Sequence, residues 1–174
     1  MTKDSLIQFL NHYLSLATII GGGVLVVVIL YVTYILNTNR KSRIVSSLYR
    51  FAIPLAFLIT FFGTGMSLFY SEYLGILPCD LCWFQRVFIY SQLILFAVAW
   101  WKDDKGAFVY SFWLSVVGLC IGLYHHIMQL GYDVYRPCST APFAVDCSKP
   151  TFIEYGFVTF PLMAVVLFAT LIFL

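Results

Sequence analysis

Leu77-Pro78-Cys79-Asp80-Leu81-Cys82-Trp83-Phe84-Gln85-Arg86 sets two thiols where a loop passes into a helix, with an arginine one turn further in. The apolar residues that follow run to Trp100-Trp101 and stop at Lys102-Asp103-Asp104-Lys105. A run of about 20 apolar residues is what a helix needs to cross a bilayer. The dithiol therefore belongs at the level where water meets lipid.

Composition extends this reading to the whole chain. Its 174 residues are 61% hydrophobic and 10% charged, against roughly 45–50% apolar and about 25% charged in an ordinary soluble domain. An all-α integral membrane protein is expected, with no room for a soluble domain, so any chemistry takes place at helix ends and in loops. A net charge of +2 is too small to indicate nucleic acid as a partner.

Outward from the dithiol helix, which spans residues 82 or 83 to 101, four more spans can be placed. The first covers residues 13–36 and includes Gly21-Gly22-Gly23. It is too long for a signal peptide, lacks a small-residue cleavage pattern, and ends in the basic cluster Arg40-Lys41-Ser42-Arg43, so it is retained. The second covers residues 48–70, with Pro54 in its early part and Gly63 and Gly65 available for close helix contact. The fourth covers residues 107–128, where Ser111, Ser115, Gly118 and Gly122 put small residues on one face for close packing. The fifth covers residues 152–174, with a kink expected at Pro161.

Basic residues near span ends resist translocation. Arg40, Lys41, Arg43, Arg50, Lys102 and Lys105 fall on one side of this arrangement, which is then cytoplasmic. Asp4, Glu72, Asp80, Asp133, Asp146 and Glu154 fall on the other, together with Cys79, Cys82, Cys138 and Cys147. Disulfides persist outside the cytoplasm, so cysteine placement and charge placement agree.

A thiolate performs disulfide exchange, and helix N-termini and nearby cations lower a cysteine pKa. Cys82 stands near such a terminus, with Arg86 at i+4 on the same face. A charge this far into a membrane helix calls for a partner, which a thiolate or an electron acceptor with carbonyl oxygens would supply. Cys79 and Cys82 read as a redox pair, with half of a zinc site or a passive staple as the other readings. The separation of the second pair by residues 139–146 is unusual for zinc, and no metal is expected. A disulfide closing so short a loop contributes only about 2.5–3 kcal/mol. A loop between two anchored helices hardly requires that, so Cys138 and Cys147 read as an exchangeable pair within reach of a soluble partner. His125 and His126 end the fourth span at about the depth of Cys82 and Arg86, where either is an interfacial hydrogen-bonder or a proton donor to a reducible cofactor. Gln85 and Gln92 read as helix–helix hydrogen-bonders, and Cys120, mid-span, as a packing residue.

With Pro78-Cys79-x-x-Cys82-Trp83-x-Gln85-Arg86, then Tyr124-His125-His126 and two outward loop cysteines, residues 48–174 resemble the bacterial disulfide bond formation protein B family, most closely its short-loop, BdbC-like members. The resemblance implies a four-helix transmembrane bundle in the bacterial plasma (inner) membrane. Such a bundle reoxidises an extracytoplasmic thioredoxin-fold thiol oxidase (DsbA/BdbD-like) and passes the electrons to a quinone, ubiquinone or menaquinone. It further implies that Cys138 is attacked by the partner, Cys147 relays to Cys79, Cys82 meets the quinone, and Arg86 supports it. His126 matches the span-end histidine of that family by the spacing Tyr124-x-His126, with His125 beside it as the alternative. Two departures stand out: a short loop between the second cysteines, and an additional N-terminal transmembrane helix with a cytoplasmic basic loop in residues 1–47. The rival reading is a non-enzymatic membrane subunit with static disulfides or a metal site.

Overall fold

The computed structural model describes residues 3–38, 43–132, 138 and 145–174. Arg40, Lys41, Ser42 and Asp133, read above from the sequence, lie outside the described residues. Among the described residues five α-helices follow one another: α1 (Lys3–Asn37), α2 (Arg43–Leu68), α3 (Asp80–Lys102), α4 (Ala107–Gln129) and α5 (Phe160–Phe173), with a π-helical turn Phe69–Tyr73 closing α2. The first four are long and apolar enough to cross a membrane.

Periodicity explains the packing. Buried positions on α3 fall at Leu81, Gln85, Ile89, Gln92, Phe96 and Ala99, and on α4 at Ala107, Ser111, Ser115, Gly118, Gly122 and His125. Both sets advance by steps of four and three that average the 3.6 residues of a helical turn. Each helix therefore turns one straight stripe inward and leaves residues such as Val87, Ile94 and Trp113 facing out. α2 packs on α3, α3 on α4, α4 on α5, and α5 returns to α2, closing a four-helix ring; α1 lies outside it against α5.

The small-residue stripe of α4 meets two neighbours. Ser111 and Ser115 donate to Gln92 Oε1 at 2.6 and 3.0 Å, so Gln92 does bond across helices, α3 to α4. Further along, a Cβ at Gly118 would run into the ring of Phe168, which is fully buried, and one at Gly122 would come within 2.9 Å of Val165 Cγ2. Gly118→Ala is thus expected to destabilise the α4–α5 contact by about 1–3 kcal/mol, the usual cost of overpacking, and to lower the thermal midpoint in detergent. An unchanged midpoint would show that Phe168 has room to move.

Five sequence expectations are corrected. The fifth helix starts at Phe160 rather than residue 152, because Tyr155 (φ 53°) and Gly156 (φ 80°) reverse the chain and Glu154 pairs with Val158 in an antiparallel bridge. Pro161 consequently lies in the first turn of α5, where its missing N–H needs no partner, and starts the helix instead of kinking it. α2 begins at Arg43, so Pro54 lies in its interior; the lost backbone bond is tolerable in a membrane helix packed against neighbours. Of the two α2 glycines, Gly63 makes the close contact, with Leu167 of α5, and Gly65 faces open space. Cys120 is exposed on the outer face of α4 and does not pack in the core.

Candidate functional site

One end of the ring gathers the chemistry. Cys79 is the N-cap residue of α3, in extended conformation (φ −75°, ψ 171°), and its carbonyl accepts the first helical bond from Trp83 N–H at 3.0 Å. Cys82 follows in the first turn, and the two Sγ atoms are 2.9 Å apart. Both sulfurs sit where the free N–H groups of a helix start favour negative charge.

Cys79 is held well below the ordinary thiol value of 9.0, at about 5, first by the hydrogen bond from Cys82 and then by His125, which together outweigh the opposing effect of burial. The sequence suggested a thiolate on Cys82; the two sulfurs share one hydrogen bond, and it is Cys79, outside the span, whose ionised form that bond and His125 favour. Since the folded value is depressed, the thiolate is present above about pH 5 and lost below it. Thiolate ultraviolet absorbance of the reduced pair should persist from neutrality down to about pH 5; disappearance near the ordinary value would contradict the arrangement.

His125 is fully buried and joins the two cysteine pairs. Its Nε2 lies 3.2 Å from the Cys147 carbonyl and 3.6 Å from Cys79 Sγ, and its Nδ1 lies 3.2 Å from the Gln85 side-chain nitrogen. A carbonyl only accepts, so Nε2 bears the proton and Nδ1 accepts from the Gln85 amide. The Gln129 amide nitrogen is 3.1 Å from the same Nε2 while its buried Oε1 has no partner. Turning that amide over puts Oε1 beside Nε2–H as a second acceptor next to the Cys147 carbonyl.

Cys147 is buried and disulfide-bonded to the half-buried Cys138, with Cα atoms 6.4 Å apart. Cys147, Cys79, Leu81 and Met128 form one buried cluster, against which Cys82 and Cys138 pack. The four thiol positions named from the sequence are thus brought together. His126 is not among them: its Nδ1 is hydrogen-bonded to Thr159 Oγ1 at 2.9 Å, at the N-cap of α5. Gln85, read from the sequence as a helix–helix bond, does bridge α3 to α4, and the residue it reaches is His125.

Arg86 faces the other way. It is 8% exposed, donates from Nη2 to the Ser67 carbonyl at 3.0 Å, and lies 5.3 Å from the Trp83 ring centroid. Cys82, Gln85 and Arg86 form the polar end of an apolar groove of about 830 Å³ between α1, α2 and α5. The dithiol therefore has two faces, Cys79 toward the loop disulfide and Cys82 toward the groove. Cys79, Cys82 and His125 also place their ligand atoms within 4.8 Å of one another. Tetrahedral zinc at its usual bond length needs sulfurs about 3.8 Å apart, so the 2.9 Å separation fits a disulfide in the making better than a metal site.

Comparison with known proteins bears on this geometry. Residues 49–174 match the family model described as disulfide bond formation protein DsbB. The chain is 42% identical over 115 residues to the SPbeta prophage-derived disulfide bond formation protein B of Bacillus subtilis, covering 66% of this chain and 76% of that one. It is 33% identical over 121 residues to the probable disulfide formation protein C 1 of Bacillus anthracis, covering 70% and 86%. Disulfide bond formation protein C of Bacillus subtilis is 30% identical over 134 residues, covering 76% and 91%. No solved structure matches the chain.

Proposed function

Because the chain belongs to the DsbB family of disulfide bond formation proteins and is therefore an oxidoreductase, we propose that it is a thiol:quinone oxidoreductase of the bacterial plasma membrane, reoxidising an extracytoplasmic thioredoxin-fold dithiol oxidase. The observation that carries this reading is the two-faced dithiol, one sulfur toward the loop disulfide across His125 and the other in the wall of the groove. Both cysteine pairs share one end of the bundle with Glu72, Asp80, Asp146 and Glu154, and we assign that end to the extracytoplasmic side. Residues 48–174 form the redox domain and residues 1–47 an added helix and basic loop.

Electrons enter at the loop. A partner thiolate attacks Cys138, breaking the Cys138–Cys147 bond and freeing Cys147; the partner's second thiolate then displaces Cys138 and leaves as a disulfide. Cys147 attacks Cys79 of the oxidised Cys79–Cys82 pair and releases Cys82. Cys138 attacks Cys147, restoring the loop disulfide and leaving Cys79 and Cys82 reduced. His125 Nε2–H, between Cys79 Sγ and the Cys147 carbonyl, stabilises the charge that appears on Cys79.

The groove fits a quinone, with donors at one end and apolar walls elsewhere; Arg86 and Gln85 would hold its carbonyl end beside Cys82. When bound, a quinone supplies a two-electron, two-proton acceptor. The Cys79 thiolate would close on Cys82 to re-form the disulfide over a gap of only 2.9 Å, the electron pair and the Cys82 proton, with a second proton from solvent, passing to the acceptor that Arg86 and Gln85 would hold. The direction is set by potential, since about 30 mV is worth roughly 1.4 kcal/mol for a two-electron couple.

Oxygen-free incubation with a reduced thioredoxin-fold dithiol oxidase and a quinone tests the reading. Catalytic disulfide formation in the partner, matched by quinol, supports it; no transfer under these conditions rejects it. In the same assay Arg86→Ala should raise the quinone KM about 10- to 100-fold, as loss of a charged hydrogen bond implies, with a smaller change in kcat. An unchanged KM would remove Arg86 from the site.

A further inference from the structure

The groove is longer than a quinone ring requires. Beyond its polar end it runs between α2 and α5 to Leu48, Phe173 and Leu174, and one whole side of it is α1, from Leu14 through Gly21 to Val28. That α1 wall extends about 21 Å at the helical rise. The helix is held by specific polar contacts at its outer end. Tyr70 Oη donates to Asn11 Oδ1 at 2.7 Å, and Tyr155 Oη lies 3.4 Å from His12 Nδ1.

Below these ties α1 packs on α5, with Gly22 facing Val166, and α2 stands apart from it. Gly21 lines the groove, and a Cβ there would meet nothing within 4 Å. Gly23 also has open space but is not part of the groove wall.

We propose that α1, which precedes the family-matched residues, forms the wall of a site for the polyprenyl chain of a membrane quinone whose ring lies at Cys82 and Arg86. The inference rests on the quinone reading above. Its occupant follows from continuity: a single groove has hydrogen-bond donors and a redox thiol at one end and a chiefly apolar length beyond, where the hydroxyls of Thr18 and Thr170 are bonded back to the Leu14 and Val166 carbonyls. A quinone with a long chain has that same polarity. In lipid, apolar burial alone favours neither protein nor bilayer, so the contribution of α1 is van der Waals fit to the chain.

The test is equilibrium binding to the full chain in nanodiscs, comparing a quinone with a long polyprenyl chain and the same ring without a chain. Wild-type protein should bind the long-chain quinone the more tightly. Gly21→Leu, which fills the groove, should weaken long-chain binding about tenfold and leave the chainless ring as it was; Val28→Phe should do the same if Gly21→Leu folds poorly. Gly23→Leu should change neither.

Equal wild-type affinity for the two quinones, or full long-chain affinity in the groove-filling variants, would overturn the inference while leaving the quinone reading intact. Loss of both ligands in a folded groove-filling variant would also overturn it, because the effect would not belong to the chain. Failure of wild-type protein to bind either quinone would remove the quinone reading, and the inference with it.

Discussion

Cys82→Ser is expected to lose quinone reduction altogether, by on the order of 10³-fold or more, because a hydroxyl at that position cannot enter thiol–disulfide exchange. The variant should also reveal the order of events. With Cys82 gone, Cys79 has no partner 2.9 Å away with which to form a disulfide, so it remains available to Cys147. With Cys138 also changed to Ser, so that no thiol resolves it, an added dithiol oxidant should then accumulate a Cys79–Cys147 disulfide, detectable by peptide mapping. The buried cluster that already holds Cys79 beside Cys147 makes this a short movement. Retained quinol formation would end the assignment of Cys82 to the groove side of the dithiol.

Cys147→Ser should separate the two halves of the cycle. It removes the loop disulfide, so turnover with the thioredoxin-fold partner should fall by a comparable factor, on the order of 10³. Cys138 is then left a free thiol, with no disulfide for the partner's thiolate to attack. The Cys79–Cys82 pair is untouched, and protein reduced beforehand should still yield one quinol per chain in a single turnover. Undiminished partner turnover would show that the partner reaches Cys79 directly and that the loop pair is a staple.

The parts of this account that were legible in the sequence share a local cause. Four of the spans are continuous apolar runs bounded by charge, and Cys82 and Arg86 lie about one helical turn apart. The start of α5 was not legible, because Phe152, Ile153, Phe157 and Val158 continue the apolar run by composition. What breaks the helix is the left-handed turn at Tyr155 and Gly156. The choice between His125 and His126 depends on how α4 is rotated, since neighbouring residues on a helix point about 100° apart.

A signal for His125 did exist. Carrying the stripe Ser111, Ser115, Gly118, Gly122 forward by its next three-residue step reaches His125, which is buried with the rest of the stripe. The same argument applied to α3 selects Gln85, the residue that orients it. The groove along α1 had no such signal. It depends on how far α1 stands from α2, a distance set by the contacts of Asn11 and His12 with Tyr70 and Tyr155, residues far away in the chain.

The most direct test of the central claim is anaerobic mixing of purified, fully reduced protein with a water-soluble quinone, following quinol and the four paired thiols in the same sample. The account predicts that quinol appears as thiols of the Cys79–Cys82 pair disappear, two thiols for each quinol, and that Cys82→Ser does neither. Thiols that stay reduced in the presence of excess quinone would contradict it.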